Sequence, residues 1–409
     1  MTATPGATQE PGATQEPGAA QDPGAAQDPG AAQDPGAGPY RWLTRDDLGA
    51  AAASAGGLLH VSPDVSAAYP LTPADRAAEE ERTAAALRAA GVGGRDRVVV
   101  ALAEPAGALW ASAAARVAAA AAAVGPRGRM RLHHALSALG ATTLVATPTG
   151  AMDFLARLHL EFLLDPLDLG LRHIVLTGEI ASKRTLGHLA GEFDAEVHEV
   201  YSSPFSGGAL AWRASEDAPL TPLADGLLRL ASLGKDDLTP EAAGPAELVI
   251  TPAGHSSLGD AVLRTGQVVR GPADGSPAPG RPDGAAAVSP AGAIPAPAHT
   301  VGDHVLVRGV WLSLPRIGRT LAKIDGVARW ELGVSRQGTL DAAVLTVTFN
   351  RPSLVGNPMW RSRLQESMRA LTPIALQVEI APEVAETSAP GMVNDLRGHH
   401  LGRDRALVT

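Results

Sequence analysis

Residues 304–327 read HVLVRGVWLSLPRIGRTLAKIDGV, and the parsing of this stretch decides the fold. His304 to Val310 is a valine-rich apolar run that reads as a strand, and Pro315 to Ile324 reads as a helix. Downstream, strands are expected at Arg329–Ser335 and Ala342–Phe349, a helix at Pro358–Ala370 and a strand at Ala375–Ile380. A β-α-β-β-α-β order within about 80 residues is the split βαβ pattern, so residues 301–409 are expected to form a small C-terminal α+β domain.

Upstream, GPADGSPAPGRPDGAAAVSPAGAIPAPAHT (271–300) is too rich in Pro and Gly for regular structure and reads as a linker or long inserted loop. Residues 40–270 alternate helix-like and strand-like segments. Helices are expected at Ala74–Ala90, Arg129–Leu139 and Lys183–Phe193. Strands are expected at Arg97–Ala101, Thr142–Ala146, Leu171–Leu176, Glu196–Tyr201 and Ala246–Thr251. Such alternation implies a layered α/β domain. The run Gly107–Val124, mostly alanine and broken by Arg116, reads as a packed, soluble helix. From Pro5 to Asp34 a hexapeptide repeats five times, as PGATQE and then PGAAQD; with no large apolar group to bury, residues 1–39 read as a disordered acidic tail.

Of 409 residues 45% are hydrophobic, enough for more than one domain. The net charge of −9, without a basic cluster, argues against nucleic-acid and anionic-membrane binding. Zero cysteines exclude disulfides, thiolate zinc sites and cysteine nucleophiles. No charged-then-apolar segment opens the sequence, so a cytoplasmic location is expected.

The stretch Val305–Val310, Ile317 and Lys323-Ile324-Asp325-Gly326-Val327 resembles the small C-terminal domain of phenylacetate-CoA ligase-like, adenylate-forming (AMP-binding) enzymes. Leu43-Thr44-Arg45-Asp46-Asp47-Leu48 resembles the segment before that family's phosphate loop. Gly140 to Pro148, Leu171-Arg172 with Thr177-Gly178-Glu179, and Arg264-Thr265-Gly266 follow in the family's order. The resemblance implies an α/β fold and joining of a carboxylate to ATP, with magnesium, before acyl transfer to CoA. It also implies ligand-binding roles for Glu179, Tyr201, Arg264, Gln267, Asp303 and Arg308, with Asp303 as an interdomain hinge acid.

The chemistry makes four demands. A phosphate loop needs backbone N–H groups unobstructed by Cβ atoms, yet Ser62-Pro63-Asp64-Val65-Ser66-Ala67-Ala68-Tyr69-Pro70 has neither glycine nor lysine. It reads as a surface turn in which Ser62 and Ser66 alone could touch a phosphate. A magnesium carboxylate is expected after Tyr201; the sequence supplies Ser202-Ser203-Pro204-Phe205. The ribose-gripping aspartate is replaced by Gln267, a hydrogen-bonding group without charge. The catalytic lysine falls near Ala389, and Lys323 is the last of only three lysines; Arg397 or Arg403 would be the substitute cation.

Ala111–Val124 gives an expected acyl pocket poor in aromatic residues. His133-His134 and His399-His400 are adjacent pairs rather than i, i+4 ligands, so no metal site is expected. Ser206-Gly207-Gly208 reads as a turn. The expectation is a degenerate adenylate-forming protein acting as a binding or regulatory partner, with a nucleotide, an acyl small molecule or a protein as its ligand. An active acyl-CoA ligase using ATP, magnesium and CoA is the other reading. No catalytic residue is assigned.

Overall fold

The computed structural model describes residues 40–402 apart from 54, 63, 64, 66, 216, 241–243 and 271–293. The repeat tail, most of the Pro/Gly-rich stretch, Ser66 and Arg403 therefore lie outside the described residues.

A seven-stranded sheet organises the first half. Its strands run, edge to edge, Thr221–Pro222, Ala209–Arg213, Glu196–Ser202, His173–Thr177, Thr143–Ala146, Arg97–Val100 and Ala120–Ala123. The five from Glu196–Ser202 to Ala120–Ala123 are parallel. The central ones are almost wholly buried, as expected of a sheet covered on both faces. The helices between them carry legible start signals. Thr72 caps Pro73–Ala89 through a capping box with Asp75, Thr147 caps Pro148–Arg157, and Ser182 caps Lys183–Phe193. Proline at the first helical position suits the donor-free end of a helix. Gly140, at φ +54°, closes Arg129–Leu139 in the left-handed conformation.

A second sheet joins Arg41–Leu43, Ala261–Arg270, Pro245–Ile250, Leu228–Ala231 and Leu238–Thr239, with His299–Thr300 added along Ala261–Arg270. His299–Thr300, read from sequence as the end of a linker, are thus sheet-paired, and Ile294 and Leu220 exchange both backbone hydrogen bonds in an isolated bridge.

The apolar run at 107–124 is not one helix. The helix Ala106–Ala115 ends at Arg116, and Ala120–Ala123 pairs with Arg97–Val100 as the sheet's edge. Pairing to a valine-rich strand overrides alanine's helical preference.

The segment after residue 300 departs from the split βαβ expectation in its first strand. His304–Val307 and Val310–Ser313 form a separate hairpin rather than one strand of the larger sheet. That sheet runs Gln377–Val384, Leu340–Phe349, Val327–Gln337 and Met392–Asp395. The last strand pairs in parallel with Val327–Gln337 and is one that local pattern did not reveal. The helices Leu314–Leu321 and Pro358–Arg369 bury Leu314, Ile317, Leu321, Leu364 and Met368 in one core with this sheet. The whole is a large layered α/β region followed by a smaller α+β region. No helix among the described residues is long and apolar enough to cross a membrane.

Candidate functional site

Four parallel strands, Arg97–Val100, Thr143–Ala146, His173–Thr177 and Glu196–Ser202, end side by side. The residues at and just beyond those ends line a cavity of about 170 Å³. Crevices outside the carboxyl ends of parallel strands are where open α/β sheets bind ligands.

The walls hold Trp110, Tyr201, Phe205 and Trp311. This corrects the expectation of a pocket poor in aromatics: the rings come from 110, 201, 205 and 311, outside Ala111–Val124. Trp110 is fully buried, and its indole N–H donates to Gly207 O at 2.8 Å. Arg45 lies between Phe205 and Trp311, its guanidinium carbon 5.0 and 4.7 Å from the two ring centroids, and it donates to Pro204 O. The strand-end replacement Pro204-Phe205 therefore builds an aromatic wall where a carboxylate was sought.

The hairpin after residue 300 closes the cavity. Val307 pairs with Val310, leaving Arg308 and Gly309 as a two-residue turn with φ of +51° and +73°. Positive φ at both central residues is the twist-matched hairpin turn. The turn seats on the large region: a Cβ on Gly309 would lie 3.6 Å from both Glu179 Oε1 and Thr147 Cγ2.

Glu179 accepts from Thr149 N at 3.0 Å and Thr149 Oγ1 at 2.7 Å. Burial pushes its pKa up, and the Thr149 bonds oppose that rise. Tyr201 donates its hydroxyl to Gln267 Oε1 at 2.6 Å, and burial raises its pKa well above the ordinary phenol range. His60 also faces the cavity, held near pKa 4 first by burial and then by the charge of Arg76, so it is neutral. Glu199 is buried against Arg213, whose Nε donates at 2.9 Å; burial raises this carboxyl and Arg213 lowers it. The Glu199–Arg213 pair spans adjacent strands and was invisible to motif reading.

Of the residues marked by sequence, the structure brings Glu179, Tyr201, Gln267 and Arg308 together around the cavity. Arg264 is elsewhere. It is buried between Glu247 and Asp236, at 2.5 and 2.7 Å, with its guanidinium over Trp42. Asp303 is exposed at the foot of the hairpin, where its charge helps burial to raise the pKa of Asp46. Ser62 lines the cavity, but its hydroxyl accepts from Ala67 N at 3.0 Å within the hairpin of Leu58–Val61 and Ala68–Leu71. Ala389 sits in the C-terminal region, its N–H on Ala328 O, and among the described residues none after Trp311 lines the cavity. Arg397, weighed as a substitute cation, is committed to Asp341 and Asp395. His399 and His400 meet Thr300, and burial holds His400 near pKa 4. Ser206-Gly207-Gly208 belongs to a turn closed by Ser203 N to Gly208 O and Gly207 N to Ser203 O.

Beside this cavity Glu79 is 4% exposed, and its pKa is raised to about 7, by burial foremost. The folded state therefore holds a proton that the unfolded chain, with a carboxyl near 4.5, has released. Stability at this position is full below pH 4.5 and falls as pH rises toward 7, by up to about 1.4 kcal/mol per pH unit. Urea titrations of wild type and Glu79→Gln at pH 4.5, 5.5 and 7 are expected to show the variant gaining on wild type as pH rises. A constant difference would refute this assignment.

No family model and no curated protein matches the sequence; the likeness lies in structure. A 2-hydroxyisobutyryl-CoA ligase with 2-HIB-AMP and CoA, in its thioesterification state, aligns over 87% of this chain and 80% of its own, at 15% identity and a TM-score of 0.67. The same ligase in its postadenylation state with 2-HIB-AMP gives 0.51 at 17% identity, with the same coverage. The amide bond synthetase McbA from Marinactinospora thermotolerans aligns over 75% of this chain and 62% of its own, at 15% identity and 0.53. The chain has the fold of adenylate-forming CoA ligases, with a large α/β region and a smaller C-terminal one.

Proposed function

We propose that this chain is a degenerate adenylate-forming protein of the phenylacetate-CoA ligase-like type, retaining a small-molecule pocket while carboxylate activation by ATP is weak or lost. Its role is then that of a binding or regulatory partner. The observation that carries this reading is the charge of the cavity. Glu104, Glu179 and Glu199 line it with Arg308, and the Arg45 guanidinium is stacked on the wall rings Phe205 and Trp311; Glu199 is already answered by Arg213. A triphosphate brought to Glu104 would meet like charge in a partly desolvated site, where repulsion is strong. The phosphate-loop position lacks glycine and lysine, and no lysine follows Lys323. Four aromatic side chains and a volume near the ~150 Å³ that admits a benzene ring favour an acyl or aryl group.

A second reading, an active acyl-CoA ligase, draws on the better match to the thioesterification arrangement than to the postadenylation one. Carboxylate-dependent ATP–pyrophosphate exchange separates the two. The expected result is no exchange above a heat-denatured control, together with a saturable rise in Tm on adding an aryl carboxylate or acyl-CoA. Robust exchange would establish the ligase. Absence of both exchange and any stabilisation by AMP, ATP, aryl carboxylates or acyl-CoA would dismiss the pocket as a ligand site.

A further inference from the structure

At the other end of the same sheet, His173, Glu196 and His198 stand together. His173 opens one strand and pairs directly with Glu196, which opens the next; His198 is two residues on and shares its face. We infer that these three side chains form a divalent-metal site of zinc type, distinct from the cavity. Glu196 and Tyr201 lie five residues apart on one strand, so the two sites are separated by roughly 17 Å of extended chain.

The geometry is near that of a coordination shell. His173 Nδ1 is 3.4 Å and His198 Nε2 3.6 Å from Glu196 Oε2, and the three ligand atoms all lie within 4.8 Å of one another. Tetrahedral zinc with bonds of about 2.0–2.1 Å places its ligand atoms roughly 3.3 Å apart. Closing the shell therefore requires only side-chain adjustment.

Beyond Glu196, three of the four imidazole nitrogens have no hydrogen-bond partner among the described residues. His173 is 8% exposed and its Nδ1 has no hydrogen-bond partner, and neither ring nitrogen of His198 has one. Buried polar atoms are almost always satisfied, so His173 Nδ1 and His198 Nε2, which both face Glu196 Oε2 without a well-formed hydrogen bond, call for a ligand. Glu196 is 70% exposed at its side chain, which supplies an entry path and room for water as a further ligand. The neighbouring turn fits the cluster closely. A Cβ on Gly91, at φ +81°, would lie 3.0 Å from His173 Cε1 and 3.8 Å from Glu196 Oε2. Two imidazoles and a carboxylate, in a chain without cysteine, suit Zn²⁺ better than the oxygen-seeking Mg²⁺ or Ca²⁺.

Bound there, zinc would clip the amino ends of two adjacent central strands. The test uses the untagged full chain, stripped with chelator and titrated with ZnCl₂ by calorimetry, with metal content measured by mass spectrometry. Saturable uptake of one zinc per chain and a raised Tm are expected. Glu196→Gln, an exposed and isosteric change, and His198→Ala should each weaken binding at least tenfold with far-UV circular dichroism unchanged. His133→Ala/His134→Ala should bind as wild type does. No saturable uptake by wild type would overturn the proposal, as would uptake that survives Glu196→Gln undiminished or is lost in the His133/His134 variant.

Discussion

Replacing Arg264 with leucine is expected to destabilise the protein by about 3–5 kcal/mol, the usual cost of breaking a buried ion pair from one side. Arg264 is 4% exposed and Glu247 fully buried. Its guanidinium donates to Glu247 Oε2, Asp236 Oδ1, Ser232 O and Lys235 O. Glu247 meanwhile accepts from Gly266 N at 2.9 Å, fixing the irregular point of the strand, Gly266 at φ +73°, that precedes Gln267. Leucine would leave a carboxylate in the sheet interior without its cation. Adding Glu247→Gln removes that charge and keeps an acceptor for Gly266 N, so the double variant should recover roughly half the loss. Denaturant unfolding checks both variants. The sequence motif assigns Arg264 to ligand binding, whereas its burial predicts lost stability with pocket affinity retained in the folded fraction. A variant of wild-type stability that binds ligand poorly would reverse the assignment.

The contrast shows what the sequence can and cannot disclose. Amphipathic helices such as Pro73–Ala89 and Pro358–Arg369 and the valine-rich central strands were legible, whereas the helix Pro148–Arg157 was missed although Thr147-Pro148 marks its start. Ala120–Ala123 was not legible either, because alanine carries no strand preference and edge pairing alone holds it extended. The site was legible where one strand end gathers its residues, as at Thr177-Gly178-Glu179. It was hidden where the residues are distant in sequence. Trp110, Phe205 and Trp311 meet around one cavity, and Glu199 finds Arg213 across a strand pair, through contacts that no local pattern encodes. The one available signal for the histidine cluster was the Glu196-x-His198 alternation, which places both side chains on one strand face.

Arg397→Ala is expected to cost a similar 3–5 kcal/mol and to loosen the hairpin over the cavity. The Arg397 side chain is 5% exposed, as is that of Asp341. NH1 meets Asp341 Oδ2 at 2.5 Å, Nε and NH2 grip Asp395, and NH2 also donates to Leu306 O at 2.9 Å. Arg308 in the hairpin turn donates in its own right to Asp341 O. One guanidinium therefore ties together the hairpin, the start of Leu340–Phe349 and the end of Met392–Asp395. The sign of the pH dependence follows from Asp395. Burial alone would raise its pKa, but bonding to Arg397 outweighs burial and depresses it. In wild type this stability is present above the ordinary aspartate pKa and is lost as pH falls through the depressed one. Without Arg397, Asp341 would keep Arg336 at 2.6 Å but Asp395 would be left without its cation in a dry setting, and protonation would relieve that charge. The deficit of the variant should thus be largest near pH 7 and shrink toward pH 4. Chemical unfolding at both pH values measures this, and trypsin cleavage after Arg308, faster in the variant, reports the freed turn. Equal midpoints for variant and wild type at pH 7, or a deficit that grows on acidification, would show that Arg397 does not hold the hairpin in place.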